Sequence, residues 1–484
     1  MIEKLLTKYR NMSKQLKVIF WFTFVGFLQR GISIVTTPVF TRVLSTEDYG
    51  LFSVFNAYYM VLVIVTTLCL HMGGINNAFV KNTASNEKIV SAFQSLSMVV
   101  SSVFLIAALI FRNQLAALMG LPVIVVAVLF IAFVFNEPYH IWVIYKRYQY
   151  DYVRPVIAAV IISIATPLIG VIGVLLADEN QGIVRILLYA LTYIILPGFF
   201  FYIVNYKKSS TFFDKSLWKY ALSFNLPLLI HYLSETLLNQ TDRIMINSLC
   251  GTSDAGIYSV AFAAASLFTI FSSALNTAFV PWTYQKLKDK DYRMIEKTGY
   301  IVLIFLAAIL SVMIMFAPEI VYVLAGEKYT GAVYLIPTLS ASVYFGYMYQ
   351  LFSRIELYFE KKSYTVIATV TAAILNIVLN YLWIPKAGYV AAGYSTLIAH
   401  MLFCVLHYFF YEKVRREKME SAKVYDIRKL LLISLIILVL TFSMTFLYQY
   451  IAIRIAIVIV ILIVAFFMRN KIISMVKMLM KKTD

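Results

Sequence analysis

Apolar runs of 18 or more residues recur from Lys17 to the C-terminus of this 484-residue chain. Each run is about long enough to cross a hydrocarbon layer of ~30 Å as a helix. Fourteen runs can be distinguished, with approximate bounds 18–43, 50–71, 89–111, 118–144, 155–177, 184–205, 217–244, 254–282, 298–318, 330–353, 363–384, 388–411, 429–449 and 451–468. Helices are the only open structures that satisfy their own backbone in lipid. The chain is therefore predicted to be an all-α integral membrane protein with about 14 transmembrane helices.

The charged residues give this protein a predicted orientation. The chain is 61% hydrophobic, yet its net charge is +18. Of its 42 Lys and Arg residues, 34 lie in alternate connections that include the N-terminus, and seven lie in the connections on the opposite side. This alternation is the positive-inside pattern, and it predicts that both termini are cytoplasmic. The basic balance therefore indicates topology and anionic lipid headgroups, and no nucleic-acid partner is expected.

Neither a cofactor nor a metal site is indicated by the sequence. Cys69, Cys250 and Cys404 lie in or beside apolar runs without the CxxC spacing of redox and zinc sites. The chain contains no GxxxxGK[ST] stretch, which argues against an ATP-driven pump encoded within it. We expect no cofactor, and a membrane enzyme is disfavoured because the connections on the predicted outer side are short and nearly uncharged.

A polar motif occurs twice along the chain. The stretch STEDYGLFSV at 45–54 matches GTSDAGIYSV at 251–260 with an offset of 206 residues. Two weaker matches have offsets of 207 and 210, and the first of them aligns Arg147 with Arg354. Thr46 or Asp48 is expected to cap the helix that follows, because short polar side chains accept hydrogen bonds from the first turn.

The repeat predicts a domain organisation. Six predicted spans separate the two copies, and because six is even, the copies have the same orientation in the membrane. This arrangement predicts two parallel six-helix lobes, at 1–210 and 211–425, followed by an extra helix pair and a cytoplasmic tail at 426–484. Transporters built from two such lobes hold their substrate between the lobes near the midplane.

Residues 30–59, RGISIVTTPVFTRVLSTEDYGLFSVFNAYY, resemble the opening of bacterial polysaccharide repeat-unit flippases. The shared features are a basic residue in the first helix, the TTPxFTRxL run and the (D/E)YG start of the second helix. The basic loop YKRYQYDYVRP at 145–155 is also typical of these proteins. They form the polysaccharide-transport branch of the superfamily that also holds multidrug exporters and lipid II flippases.

The resemblance implies a function, a location and partners. It implies a secondary transporter, not an enzyme, that moves an undecaprenyl-diphosphate-linked oligosaccharide to the outer leaflet of the bacterial inner membrane. Coupling to a proton or sodium gradient is compatible with this function. Polysaccharide polymerase and export proteins are the expected partners besides the lipid-linked substrate and the bilayer, and the transport unit is expected to be monomeric. A multidrug antiporter of the same superfamily is the alternative, followed by a membrane polymerase or glycosyl transferase.

Arg30 is the clearest candidate for substrate contact. It lies roughly 20 Å along the first helix from Lys17, which is near the midplane. Ionisable residues within membrane spans are costly and default to functional candidates. The guanidinium group can form paired hydrogen bonds to phosphate oxygens. A structural ion pair is the alternative role. Gln29 is its polar neighbour and, by the repeat offset, corresponds to Glu235 in the second half.

The seventh span carries a polar stripe. His231, Glu235 and Asn239 are spaced four residues apart and share one helix face, and Asp242 and Arg243 follow near the outer end. Glu235 is predicted either to couple transport to an ion or to balance Arg30. His231 and Asn239 are further coupling candidates, although His231 is better explained by packing. We expect Asp242 and Arg243 to be solvated.

The remaining candidates lie in the fourth and tenth spans. Glu137 and His140 share a face of the fourth span, and Glu137 is a coupling candidate. Pro138, between them, should loosen the helix. For Arg147 and Arg354 the sequence leaves attraction of the diphosphate or ordinary anchoring at the inner face. Tyr344 and Tyr347 are predicted either to contact sugar or to belong to an interfacial aromatic belt. Asn376 and Asn380, in the eleventh span, are expected to bond neighbouring helices.

Overall fold

The computed structural model describes residues 12–419 and 422–467, and regular structure within them is helical. The chain divides into two compact units, which we call unit 1 (Met1–Gly256) and unit 2 (Ile257–Asp484). Within the described residues, 11 helices are long and apolar enough to cross a membrane. The prediction of an all-α integral membrane protein is confirmed, whereas the count of 14 spans is not.

Unit 1 contains a series of long helices joined by short connections. They are α1 (Lys14–Val43), α2 (Thr46–Thr67), α3 (Gly74–Lys81), α4 (Asn86–Ile110), α5 (Arg112–Met119), α6 (Val123–Tyr148), α7 (Val153–Leu176), α8 (Gln181–Tyr206) and α9 (Lys215–Cys250). A π-helical segment, Ala190–Ile195, widens the middle of α8. α4 packs on α6, α9 packs on α2, and α1 packs mainly on α7.

The helices of unit 2 follow in the same manner. They are α10 (Thr252–Lys288), α11 (Tyr292–Met315), α12 (Ala317–Ala325), α13 (Ile336–Tyr358), α14 (Lys362–Ala387), α15 (Val390–Lys418), α16 (Ile427–Ser443) and α17 (Ile451–Phe467). The first turn of α10 belongs to unit 1 and the rest of α10 to unit 2. α15 packs against both α13 and α14, and the buried core of unit 2 is rich in aromatic side chains.

The units do not coincide with the predicted lobes. The packing of α9 against α2 and α4 groups α9 with unit 1, whereas the repeat assigned the same segment to the second lobe. The lobes were predicted from matching sequence and membrane orientation, whereas the units are groups of helices that pack together. The two divisions therefore describe different properties. The lobe boundaries at residues 210 and 425 stay predictions.

The starts of the two copies of the repeated motif, up to Gly256, belong to unit 1 and lie against each other. A Cβ atom on Gly50 would lie 2.8 Å from the carbonyl carbon of Thr252 and nearer still to its oxygen. A Cβ atom on Gly256 would lie 2.5 Å from the carbonyl oxygen of Thr46. Beside this contact, the Ser253 hydroxyl donates to Thr46 Oγ1 at 2.8 Å. The glycines therefore allow two helix starts to touch through their backbones.

The prediction that Thr46 or Asp48 caps α2 is wrong, although the residue that does cap it also has a short polar side chain. Ser45 is the N-cap, and its hydroxyl oxygen accepts the backbone N–H of Asp48 at 3.0 Å. The Asp48 carboxylate instead accepts the backbone N–H of Gly182, at the start of α8, at 3.0 Å. Asp48 thus joins two helices, a role that a motif read along the chain does not reveal.

The connection between α15 and α16 is anchored to the core of unit 2. The backbone N–H groups of Val424 and Tyr425 donate to the hydroxyl of Tyr411 at 2.9 and 3.2 Å. Val424 and Tyr425 are both buried, and the ring of Tyr425 packs on Gly299. The sequence does not indicate this anchoring, because most residues at 412–428 are charged and suggest exposure to water.

Candidate functional site

Arg30 and Gln29 lie in the middle of α1, and both side chains are exposed in unit 1. Gln29 Nε2 donates to the hydroxyl of Ser163 in α7 at 3.1 Å. An arginine in the middle of a membrane-crossing helix is unfavourable against lipid tails, by roughly 3 kcal/mol on insertion scales. In a bilayer, the exposed side of α1 around Arg30 is therefore expected to meet water or an anionic group.

A groove of about 810 Å³ runs between α1 and α7. Its walls are almost wholly apolar and include Phe27, Gly31 and Val35 from α1 and Leu168 from α7. A Cβ atom on Gly31, which follows Arg30, would meet nothing within 4 Å, so this glycine leaves part of the groove open. The groove has the chemistry of a surface for hydrocarbon chains.

The repeat-related arginines occupy different environments. Arg147, at the end of α6, is exposed, and its guanidinium carbon lies 4.2 Å from the ring centroid of Phe22. Arg354, near the end of α13, is only 3% exposed. Its Nη2 donates to Asn276 Oδ1 at 2.6 Å, and its guanidinium carbon lies 4.6 Å from the ring centroid of Phe279. Among the described residues, no acceptor lies in hydrogen-bonding range of Arg354 Nε and Nη1.

Tyr344 and Tyr347 are buried in the core of unit 2. Tyr344 is 0% exposed, and its hydroxyl donates to the carbonyl of Leu303 at 3.2 Å. Tyr347 is 1% exposed and lies beside Arg354, with 5.5 Å between ring centroid and guanidinium carbon. Neither ring presents a face to a sugar in this conformation. The prediction of sugar contact stays a prediction, and it requires a conformation in which the rings are uncovered.

The polar stripe of α9 is continuous, as its spacing predicts. Glu235 is exposed, His231 is half-buried, and Asn239 Nδ2 donates to the carbonyl of Glu235 at 2.8 Å. The expectation that Asp242 and Arg243 are solvated is wrong, since they are 1% and 9% exposed. This end of α9 lies within the packing of unit 1, and Arg243 Nη1 donates to the carbonyl of Asn239 at 3.2 Å.

Glu137 lies at the centre of a buried polar network in unit 1. Its side chain is 0% exposed, and its Oε1 accepts the hydroxyl of Thr67 at 3.1 Å and Nδ2 of Asn136 at 3.3 Å. His71 Nδ1 lies 2.9 and 3.0 Å from the two carboxylate oxygens, and the backbone N–H of His71 donates to Oε2 at 3.2 Å. The hydroxyl of Tyr59 extends the network by donating to Asn136 Oδ1 at 2.5 Å.

His71 was not among the residues singled out from the sequence. It lies in the break between α2 and α3, in the stretch LCLHMGG, where a histidine two residues before a pair of glycines interrupts an apolar run and could have indicated the break. The helix of Pro138 continues through the proline, and the carbonyl of Pro138 accepts Asn205 Nδ2 from α8 at 3.2 Å. The polar contacts of α6 therefore reach α2, α8 and the break.

Two polar pairs lie inside unit 2. Asn376 Nδ2 donates to the hydroxyl of Thr396 at 3.2 Å, which joins α14 to α15 as the sequence favours. His407 Nδ1 lies 2.9 and 3.0 Å from the carboxylate oxygens of Glu356, and both side chains are fully buried. Neither member of the second pair was identified from the sequence, because they lie 51 residues apart.

Comparison with known families identifies the chain. Residues 16–287, more than half of the sequence, match the family model described as polysaccharide biosynthesis protein. Residues 227–382 also match the MatE family model. An Lsg locus protein from Haemophilus influenzae is 24% identical over 372 residues, which cover 73% of this chain and 89% of that protein. An uncharacterized membrane protein from Methanocaldococcus jannaschii is 22% identical over 266 residues, which cover 53% and 50% of the two chains.

Two solved structures share the fold. The lipid II flippase MurJ in an inward closed conformation has a TM-score of 0.70 and 16% identity, with 94% of this chain and 100% of that chain covered. An inward-facing multidrug resistance MATE family transporter of the MOP superfamily has a TM-score of 0.62 and 14% identity, with 81% and 96% covered. These proteins are a flippase and a transporter, in agreement with the prediction that this chain is not an enzyme. The chain belongs to the polysaccharide biosynthesis protein family, and it is a multi-pass membrane protein with the fold of the MOP-superfamily transporters.

Proposed function

We propose that this protein flips undecaprenyl-diphosphate-linked oligosaccharide repeat units from the cytoplasmic to the outer leaflet of a bacterial inner membrane by alternating access. Three findings support the proposal. The family model concerns polysaccharide biosynthesis, the fold is shared with a protein named as a flippase, and residues 30–59 resemble the repeat-unit flippases. Both termini are proposed to be cytoplasmic on the basis of the charge alternation.

The observation that carries the proposal is the exposed arginine in the middle of α1. Arg30 lies in a helix whose buried residues among those described are only Val18, Val25, Phe40 and Thr41. A fixed cation at this depth is stable only beside water or an anion. A lipid-linked diphosphate is an anion that has to cross the same depth, and a guanidinium group binds phosphate oxygens through two parallel hydrogen bonds. Arg30 therefore matches the least lipid-soluble part of the proposed substrate.

Arg354 supplies a second cationic group of the same kind. Its polar and cation–π contacts among the described residues are the neutral amide of Asn276 and the rings of Phe279 and Tyr347, and a buried charge held only by neutral groups is unfavourable in a low-dielectric interior. Uncovering of this region during alternating access would let an anion compensate it. Arg147, by contrast, is exposed in the last turn of α6. We therefore propose that it anchors the helix at the membrane surface or first attracts the diphosphate.

The groove along α1 suits the hydrocarbon part of the substrate. It lies on a different face of α1 from Arg30, and its apolar walls offer no partner for sugar hydroxyl groups. Burial of apolar chains against such a surface is favourable by roughly 25 cal/mol per Å² in contact with water, and is nearly neutral against lipid. We therefore propose that the groove guides the polyprenyl chain and contributes little to its affinity.

Arg30→Ala tests the proposal, and Arg42→Ala is its matched control. Arg42 lies in the last turn of the same helix, where its Nη1 donates to the carbonyl of Pro38 at 3.0 Å. Arg30→Ala should abolish flipping of a lipid-linked sugar in proteoliposomes, and Arg30→Lys should retain part of it because lysine keeps the charge without the fork. Arg42→Ala should flip as the unmodified protein does. Full flipping by a correctly inserted Arg30→Ala protein would refute the proposal.

A multidrug antiporter is the second candidate, because residues 227–382 match the MatE model. The two functions predict different results after deletion of the gene. Loss of the flippase should leave lipid-linked sugars in the cytoplasmic leaflet, while loss of an antiporter should increase sensitivity to cationic drugs. Sensitivity to drugs with normal surface polysaccharide would support the antiporter. In either case we propose that a proton or sodium gradient drives the transport unit, which we expect to be monomeric.

A further inference from the structure

The buried carboxylate of Glu137 is linked to a break in the membrane-crossing chain. α2 ends at Thr67, and the next two residues, Leu68 and Cys69, have φ angles of 61° and 42°. Left-handed backbone at consecutive side-chain-bearing residues is unfavourable and persists only where the surrounding structure enforces it. This conformation brings both the ring and the backbone N–H of His71 to Glu137. The carboxylate of Glu137 therefore accepts a hydrogen bond from the backbone of the broken segment as well as contacting a side chain of it.

A second imidazole lies on the first. His140 is one turn beyond Glu137 on α6, and its ring stacks on that of His71 with 4.8 Å between the centroids and 24° between the planes. Two imidazolium ions at this distance repel each other strongly in a low-dielectric interior. A proton taken up by one member of the cluster therefore changes the electrostatic field at the other two.

Protons alone set the charge of this cluster. The other titratable groups near it are tyrosines and a cysteine, which are neutral at physiological pH in their ordinary state: Tyr59 on α2, Cys69 in the break, Tyr139 on α6, Tyr193 on α8 and Tyr232 on α9. Within the described residues, neither Lys nor Arg interacts with Glu137. The cluster therefore has no fixed cation to hold its carboxylate permanently ionised.

The cluster also has a route to its surroundings. Glu137 is 0% exposed, whereas the side chain of His71 is 19% exposed. The Nδ1 atom of His71 lies 2.9 and 3.0 Å from the two oxygens of Glu137, so a proton on this nitrogen can pass directly to the carboxylate. Histidine is suited to pass it on, since its ring exchanges protons near neutral pH.

We propose that His71, Glu137 and His140 form a proton-binding site, and that its proton occupancy sets the conformation of the break between α2 and α3. With one proton, the carboxylate is ionised, an imidazolium balances it, and the backbone N–H of His71 is held. A second proton, taken from the aqueous phase, neutralises Glu137 and weakens its hold on the break. The use of this site to drive flipping rests on the proposed function, whereas the site itself does not.

Unit 2 contains a matched control. Glu356 and His407 have the same contact between Nδ1 and both carboxylate oxygens, at 2.9 and 3.0 Å. Both are 0% exposed, and the ring of His407 packs against Tyr349 and Phe403 instead of a second imidazole. Both members lie within continuous helices, α13 and α15. This pair has the same chemistry as the Glu137 site without its exposure or its chain break.

Infrared difference spectroscopy of the full-length protein in nanodiscs tests the site. Lowering the pH from about 8 to about 3 should produce the C=O stretch of a protonated carboxyl group, because a cluster that already holds one proton takes up the next at lower pH. Glu137→Gln should remove the part of this band that responds to His71, and Glu356→Gln should retain that part. His71→Gln, which keeps a side-chain donor, should change the pH at which the band appears. An unchanged band in folded Glu137→Gln and His71→Gln proteins would overturn the proton site.

Proteoliposomes with an imposed pH gradient test the coupling. A gradient should accelerate flipping of a lipid-linked sugar by the unmodified protein and by Glu356→Gln. In Glu137→Gln and His71→Gln, the ratio of the flipping rate with the gradient to the rate without it should fall to about one, whatever the rate without a gradient. A retained response in these variants would overturn the coupling. If the unmodified protein shows the infrared band but flips no lipid-linked sugar, the proposed function fails and the proton site stands.

Discussion

Gly50→Ala offers a sharp test of the contact between the two copies of the repeated motif. In an exposed helix, replacing glycine by alanine stabilises by up to about 1 kcal/mol. At Gly50, the added carbon would lie 2.8 Å from the Thr252 carbonyl carbon and 3.0 Å from the Gly256 nitrogen. The nearby atoms are backbone, so a whole helix start has to move. Overpacking of this kind costs about 1–3 kcal/mol.

Gly26→Ala is the control, because a Cβ atom at Gly26 in α1 would meet nothing within 4 Å. We expect Gly50→Ala to be about 1–3 kcal/mol less stable than Gly26→Ala, because both glycines are helical, the helical gain cancels, and the packing cost at Gly50 remains. Gly50→Ala with Gly256→Ala should cost less than the sum of the single changes, since either change alone separates the helix starts.

The assay is thermal unfolding of the purified protein, followed with a thiol-reactive dye. Cys69 and Cys404 are buried and Cys250 is half-buried, so unfolding exposes thiols to the dye. Unfolding of a membrane protein in detergent is commonly irreversible, so rates at one temperature should accompany the apparent melting temperature. We expect Gly50→Ala to melt several degrees below Gly26→Ala. Equal melting of the two variants would refute the close backbone contact.

Three further predictions concern the membrane surfaces. Asp214 is the N-cap of α9, and the hydrogen bond that it accepts from Lys88 lowers the pKa of its carboxyl group below 3.8. The ionised carboxylate therefore contributes fully to stability above about pH 4, and this contribution is lost as the pH falls through the lower pKa of the folded protein. Asp214→Ala should therefore cost about 1 kcal/mol at neutral pH and approach the unmodified protein in acid, as measured by melting across pH. Tyr411→Phe leaves two buried backbone N–H groups without their acceptor and should cost about 1–3 kcal/mol in the same assay, and no loss would contradict the anchoring of the connection. Cysteine at position 181 should react with an impermeant reagent outside intact cells and cysteine at 423 should not, and the reverse would contradict the orientation.

Hydropathy predicted the helices well and their interruptions poorly. Each of the fourteen predicted spans overlaps a described helix, because apolar length is what a bilayer demands of a helix. The span predicted at 50–71 shows the limit. Its helix ends at Thr67, but Leu68, Cys69 and Leu70 continue the apolar composition through the left-handed turn. Composition records whether a segment suits lipid and not which backbone conformation it adopts.

Helical spacing found two of the three members of the Glu137 cluster and could not find the third. Glu137 and His140 share a face of one helix, so their proximity follows from the sequence alone. His71 lies 66 residues before Glu137, and only the packing of α2 against α6 brings them together. Glu356 and His407 were missed for the same reason. In a membrane protein, the role of an isolated histidine depends on a partner that is distant in sequence, and local sequence patterns do not identify that partner.

The repeat predicts which positions correspond but not what surrounds them. Arg147 and Arg354 align, yet Arg147 is exposed beside Phe22 while Arg354 is enclosed by aromatic side chains. A guanidinium group at the membrane surface keeps its hydration, so it needs no special partner and acts mainly on topology. The same group in the interior has lost its hydration, and each donor that finds no acceptor raises the cost. Functional differences between corresponding positions therefore arise from burial, and buried charges that lack a fixed counter-ion are where an anion or a proton has the largest effect on this fold.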